Sequence, residues 1–279
     1  MTNRYLLGVD FSSAPSHRKP ITVAVGLKPT AEDPVYRLET IREIETLEAF
    51  DRMLAEPQQW LGGFDLPFGQ PRTLIEHEGW PTQWDTFVEF FCKQSREHLR
   101  NTFRQWCDSR PAGNKFAWRK TDKLSGSSPA MRWTNPPVAW MMHAGIQRML
   151  HAGLAFPAHR YPHKRTHIKR IALEAYPGFT ARKITRDSYK SDSPAKQTRE
   201  RQYQRELILD ALSAGQAGLT IRFEADRQWR KRIIADARGD FLDAVLCSLQ
   251  AGHAALQRNF GLPRTLDTLE GWIASVPVR

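Results

Sequence analysis

The sequence predicts an α/β protein with a mixed sheet flanked by helices. Three observations carry that expectation. Apolar runs at residues 4–11, 21–27 and 35–41 are separated by loops containing Pro or Gly, the pattern of an antiparallel meander. A helix-spaced segment then precedes another apolar run, Trp60-Leu61-Gly62-Gly63-Phe64. A strand reached through a crossover helix normally lies parallel to the strand it joins. The rhythm stops near residue 70 and returns at Ile171-Ala172-Leu173, ahead of a long apolar helix opening at Asp240.

The first strand runs through Tyr5-Leu6-Leu7 to Gly8-Val9-Asp10-Phe11-Ser12-Ser13 and delivers a carboxylate at its end. Such a charge must be paired, hydrogen-bonded or bound to metal, unless Asp10 simply opens the turn before Pro15. The second run is rich in β-branched residues and the third alternates. Leu47, Phe50, Met53 and Leu54 fall at helical spacing on a helix ending before Pro57. The fourth strand delivers Asp65 ahead of Leu66-Pro67-Phe68-Gly69, where a turn is again the plain alternative. The fifth ends in Glu174 before Pro177-Gly178. Residues 182–205 read as a mostly solvated helix and loop, and further helices are expected near 199–213 and 226–235. In the last helix Asp240 is placed as the N-cap and Asp243 as its N3 partner. Leu242, Ala244, Val245, Leu246 and Cys247 surround Asp243, which predicts that it is buried.

The 279 residues are read as one domain, 1–279, holding a helical, Trp-rich basic insertion at 70–167. Hydrophobic residues make up 41% of the chain, enough for a core of that size. No secretory leader is expected, and no apolar run approaches the roughly 20 residues that span a bilayer. Cys92, Cys107 and Cys247 lie far apart, which argues against disulfides or a cysteine zinc site and suits a cytoplasmic location.

The formal charge is +11, and between residues 96 and 170 there are fifteen Lys and Arg against three acids. The basicity is therefore concentrated in the insertion, which also holds six of the nine tryptophans. The expectation is a nucleic-acid surface carried by Arg119, Lys120, Lys123 and Arg132 on a long polar loop, residues 110–135. Most of the tryptophans are assigned to a small core of the insertion's own. His159, His163 and His167 stand four apart, but Pro162 interrupts them and Arg160, Lys164 and Arg165 flank them, which disfavours zinc.

Four segments thus bring an acid to the end of an apolar element: Asp10, Asp65, Glu174, and Asp240 or Asp243. Carboxylates repel one another, so a gathering of several implies cations, and hard oxygen ligands suit Mg²⁺ or Mn²⁺. Without metal, Asp243 would face Asp10 and its charge would be a liability. Beside a basic surface such a centre fits a metal-dependent nuclease, with Asp10, Asp65, Glu174 and Asp243 as catalytic acids.

The succession Gly8-Val9-Asp10-Phe11-Ser12-Ser13, Gly63-Phe64-Asp65-Leu66-Pro67-Phe68-Gly69, Leu173-Glu174-Ala175-Tyr176-Pro177 and Asp240-Phe241-Leu242-Asp243-Ala244 resembles the domain-of-unknown-function 429 family. The closing Leu269-Glu270-Gly271-Trp272-Ile273 is similar to that family's ending. The resemblance spans most of the chain outside 70–165. It implies a ribonuclease-H-like fold with a five-stranded sheet, a predicted nuclease activity, and metal ligation by Asp10, Asp65, Glu174 and Asp240 or Asp243. Two other classes are weighed against it. A sugar-kinase or actin-like ATP-binding phosphotransferase would also end its first strand in Asp, but Asp10-Phe11-Ser12-Ser13 lacks that phosphate loop's glycine. A non-catalytic nucleic-acid-binding protein would bind irrespective of divalent metal.

Overall fold

A computed structural model of the chain describes residues 5–160 and 170–277. Strands β1 (Tyr5–Asp10), β2 (Ile21–Leu27) and β3 (Val35–Ile44) form the antiparallel meander. Thr46 then caps α1 (Leu47–Ala55), its hydroxyl accepting from the Ala49 N–H at 3.1 Å. The helix carries the chain back to β4 (Trp60–Asp65), which runs parallel to β1, and β5 (Arg170–Glu174) adds parallel to β4.

A sixth strand, β6 (Arg222–Glu224), pairs parallel to β3, so the sheet reads β5-β4-β1-β2-β3-β6 and the expected count of five is corrected. With one buried side chain, Phe223, β6 is too short for alternation to register in the sequence.

Among the described residues five helices lie between β4 and β5: α2 (Arg72–His77), α3 (Trp84–Lys93), α4 (Arg96–Asp108), α5 (Lys120–Ser125) and α6 (Val138–His151). After β5 come α7 (Pro177–Ile184), α8 (Arg199–Ser213), α9 (Arg227–Ala235) and α10 (Asp240–Ala255). None of the described helices is long and apolar enough to cross a membrane.

Strand parity divides the core in two, because successive side chains point to opposite faces. On one face Leu7, Val9, Val23 and Phe64 pack with Phe50 of α1, Phe87 and Phe91 of α3, Phe103 of α4 and Ile146 of α6. Trp80, Trp84, Trp106 and Trp140 belong to this same cluster. The separate small core expected for the insertion is therefore not formed; four of its tryptophans finish the main one, Trp133 packs against it partly buried, and Trp118 is exposed. On the other face Leu6, Ala24 and Leu61 pack against Leu242, Val245 and Leu249 of α10 and Ile208 of α8.

Helix α10 is buried around nearly its whole circumference and lies on β1 and β4 at their glycines. A Cβ at Gly8 would stand 1.9 Å from the Ala244 carbonyl oxygen, and one at Gly63 would stand 2.3 Å from that of Cys247. Only glycine permits this backbone approach.

Candidate active site

Asp10 and Asp65 are the last residues of β1 and β4 and are direct register partners in the parallel ladder. Two positions before each stands the glycine under α10, so both carboxylates leave the sheet on the α10 face. There they meet Asp243, which sits one turn before Cys247 on α10 and is fully buried. Three of the sequence-predicted acids are thus brought together by strand register and one helix.

Glu174 stands apart from them. Its register partner is Phe64, not Asp65, so parity turns it to the opposite face. There Arg119 takes it in a fork, Nη1 to Oε2 at 2.8 Å and Nη2 to Oε1 at 2.5 Å. The same guanidinium holds Asp122 Oδ1 at 2.7 Å, and the Phe68 N–H donates to Glu174 Oε2 at 3.0 Å. Arg119 retains 1% of its surface, so it is a buried structural cation and the solvated-loop reading of residues 110–135 is corrected. The segment folds into α5 because its charges are paired internally, Asp122 also accepting from the Arg119 N–H. Lys120 and Lys123 are exposed on α5. Arg132 is half-buried, its Nε donating to the Thr134 carbonyl at 2.9 Å.

Asp240 is not the N-cap. Gly239, in the left-handed region at φ +76°, holds that position, and Asp236 Oδ2 accepts the Phe241 N–H at 2.9 Å. Asp240 is the first helical residue, buried, with Arg238 Nε 3.3 Å from its Oδ2. That oxygen makes no hydrogen bond among the described residues.

The loop after α7 supplies two residues that sequence reading missed. Tyr189 donates its hydroxyl to Asp243 Oδ1 at 2.5 Å, and Lys190 Nζ pairs with Asp243 Oδ2. Lys190 reaches in from solvent, with 43% of its side-chain surface still exposed. The expectation that Asp243 is an unrelieved charge without metal is therefore corrected: protein donors satisfy both of its oxygens. A lone buried tyrosine in an otherwise charged stretch was the only signal for this.

Burial first, and then the Asp243 charge, pushes the Asp65 carboxyl up to about 7 and raises Asp10 well above the carboxylate range. Burial and the nearby Asp236 raise Asp240 to about 6. Burial opposes the Lys190 ammonium, but Asp243, Tyr189 and Asp10 outweigh it and hold its pKa above the ordinary value. Neither Asp10 nor Asp65 has a side-chain hydrogen bond or ion pair among the described residues.

Asp10, Asp65, Tyr189, Lys190 and Asp240 line a cleft of about 850 Å³, with Asp243 buried behind them. Seven acids line it, Asp10, Asp65, Glu174 and Asp240 among them, with Lys19, Arg119, Arg182, Arg186, Lys190 and Arg238 around them. Of the residues expected to bind nucleic acid, Arg119 alone lines it. His159, the described member of the histidine series, is buried against Trp84 at 4.2 Å between ring centroids. Burial pushes its pKa down to about 3, and its Nδ1 lies 3.0 Å from the Thr268 carbonyl, so it is a core histidine. His163 and His167 fall outside the described residues.

Among the described residues no group of three or more His, Cys, Asp or Glu is placed to hold a metal ion. The geometry explains this, since Asp243 is turned to Lys190 and Tyr189, and Glu174 to Arg119. What fits a divalent cation is the pair Asp10 and Asp65, two hard oxygen donors side by side with no hydrogen bond or ion pair among the described residues. Mg²⁺ is commonly held by one or two carboxylates while keeping several waters. Comparison with protein-family models, with curated proteins and with solved structures finds no match to this chain.

Proposed function

We propose that this protein is a divalent-metal-dependent nuclease of ribonuclease-H-like fold, as its resemblance to the domain-of-unknown-function 429 family implies. One observation carries the reading: two carboxylates without a hydrogen-bonded or ion-paired partner among the described residues, Asp10 and Asp65, sit in register at the edge of a sheet, inside a cleft whose other charges nearly balance, six cations against five acids. Repulsion and desolvation make their shared ionisation unfavourable unless a cation joins them.

In this reading Asp10 and Asp65 hold Mg²⁺ or Mn²⁺. The ion, when bound, polarises a phosphoryl oxygen and lowers the pKa of a water. Asp243 keeps Lys190 at the edge of the pair. Arg119 fixes Glu174, and through it the Phe68 backbone three residues after Asp65. Lys19 and Arg186, both exposed, meet the phosphates of the incoming strand.

The test is cleavage of labelled single- and double-stranded DNA and RNA with Mg²⁺, Mn²⁺ or EDTA. Asp10→Asn and Asp65→Asn should each lower the rate by at least about 100-fold, the scale of losing electrostatic stabilisation at a reacting centre. Metal-independent binding with no cleavage in any arm would instead favour a nucleic-acid-binding protein without catalysis.

A further inference from the structure

We infer that the Lys190 ammonium is the site's resident second cation, so that the acid cluster takes one divalent ion between Asp10 and Asp65 and not two. The inference rests on the metal-dependent reading above and deepens it.

The argument starts from how the acids are partnered. Glu174 has Arg119 against it at 2.5 Å, Asp240 has Arg238 at 3.3 Å, and Asp243 has Lys190. Of these acids only Asp10 and Asp65 have no hydrogen-bonded or ion-paired cation among the described residues; the nearby Lys190 acts on both but is seated on Asp243, which leaves the pair to one divalent ion. A second ion ligated by Asp243 would have to take the place of Nζ on Oδ2. It would also have to displace the Tyr189 hydroxyl or share Oδ1 with it.

Lys190 is not a surface lysine that happens to lean inward. The Tyr189 hydroxyl is pinned on Asp243, and Arg205 Nη1 donates to the Tyr189 carbonyl at 2.7 Å. Arg201 Nη1 donates to the Lys190 carbonyl at 3.0 Å, and the Ser191 N–H donates to the Ala237 carbonyl at 3.1 Å. The stem of Lys190 lies on Gly239, where an added Cβ would stand 2.8 Å from the Lys190 Cβ. Backbone and side chain together aim this ammonium at the acids.

A second observation points to a cation at the same place. Asp240 keeps 4% of its surface, lines the cleft, and leaves Oδ2 without a hydrogen bond, although Arg238 supplies charge nearby. An acceptor left open beside the unpartnered pair suits the water shell that a small divalent ion retains. One ion with its waters on Asp10 and Asp65, the Lys190 ammonium on Asp243 and Arg238 beside Asp240 then account for these four acids.

The experiment counts Mn²⁺ bound per chain by equilibrium dialysis and by the spin-resonance signal of the free ion. Wild type should bind one Mn²⁺, and Asp10→Asn with Asp65→Asn should remove it. Lys190→Met should bind a second, because Asp243 is released to act as a ligand. Asp243→Asn should keep the single ion with affinity within about threefold, since Asp243 is not its ligand; this variant serves if Lys190→Met does not fold. Two ions on wild type, one ion on a folded Lys190→Met, or loss of the ion from Asp243→Asn would each overturn the inference and leave the metal-dependent reading standing. No Mn²⁺ on wild type would overturn both.

Discussion

Asp65 gives the site a pH signature that can be read without substrate or metal. Its folded-state pKa stands near 7, raised by burial and by the Asp243 charge, while an unfolded chain titrates it in the ordinary carboxylate range. A raised carboxyl pKa means the native state holds more protons than the unfolded state across that interval. The associated stability is present below the unfolded pKa and is lost as pH rises through about 7. Asp65→Asn keeps the shape and removes the titration. In EDTA the mutant should equal wild type near pH 4 and exceed it by on the order of 4 kcal/mol at pH 8, as read by denaturant unfolding. A difference that stays constant with pH would show that Asp65 is already paired or solvated. Asp10 and Asp65 were legible in the sequence because each ends an apolar run where no structural need for a charge exists. Lys190 was not, since one lysine in a charged segment carries no local mark of its long-range partner.

At the scale of elements, the site depends on how closely α10 approaches the sheet. Gly8 and Gly63 set that distance, and they lie two residues before the two acids, on the same face. A methyl at Gly8 would overlap the backbone of α10 at Ala244 and at Ser248 N, 2.3 Å away, and backbone in a fully buried helix cannot yield locally. Gly8→Ala should therefore lift the helix and carry Asp243 away from the pair. The expected cost is about 3 kcal/mol or more, at or above the usual range for overpacking, with a weakened response of the melting temperature to Mn²⁺. Gly153→Ala, where nothing lies within 4 Å, should leave the Mn²⁺ response intact. Equal responses in the two variants would refute this role for α10. Periodicity located β1 to β5, α1 and α8 to α10 because each buries one face or all of itself over several residues. It misplaced the start of α10, since the cap is a left-handed glycine and the capping carboxylate, Asp236, lies five residues before the N–H it accepts. It missed α5 because that helix is held by the Arg119 pairs, which lie beyond the reach of an apolar pattern.

The whole molecule sets two apolar layers against a sheet whose working edge opens on one side, and its positive charge must be judged against that edge. Part of the basicity counted in the insertion does not face solvent: Arg119 is buried, and Arg170 is half-buried, donating Nη2 to the Ala152 carbonyl at 2.9 Å. Sequence counting registers such charges as surface because it cannot see the ion pairs that take them inside. Exposed cations at the cleft include Lys19, ion-paired with Asp192, and Arg186, while Lys120 and Lys123 are exposed on α5, whose Asp122 also lines it. Arg119, at the start of α5, lines the cleft itself, so α5 borders it and a strand crossing the acids would run from one pair to the other. Removing one cation that neutralises a phosphate should flatten the slope of log K against log salt by about 0.9 for duplex DNA or 0.7 for a single strand. Replacing Lys19 and Arg186 with Gln should therefore reduce the slope by between about one and two, and replacing Lys120 and Lys123 should do the same. Arg119→Lys, which retains a buried charge, should leave the slope unaltered in whatever fraction folds. Fluorescence anisotropy of a labelled oligonucleotide in EDTA, from about 50 to 300 mM salt, isolates binding from cleavage. A slope that responds to only one pair would place the strand along one wall of the cleft and not across the carboxylates.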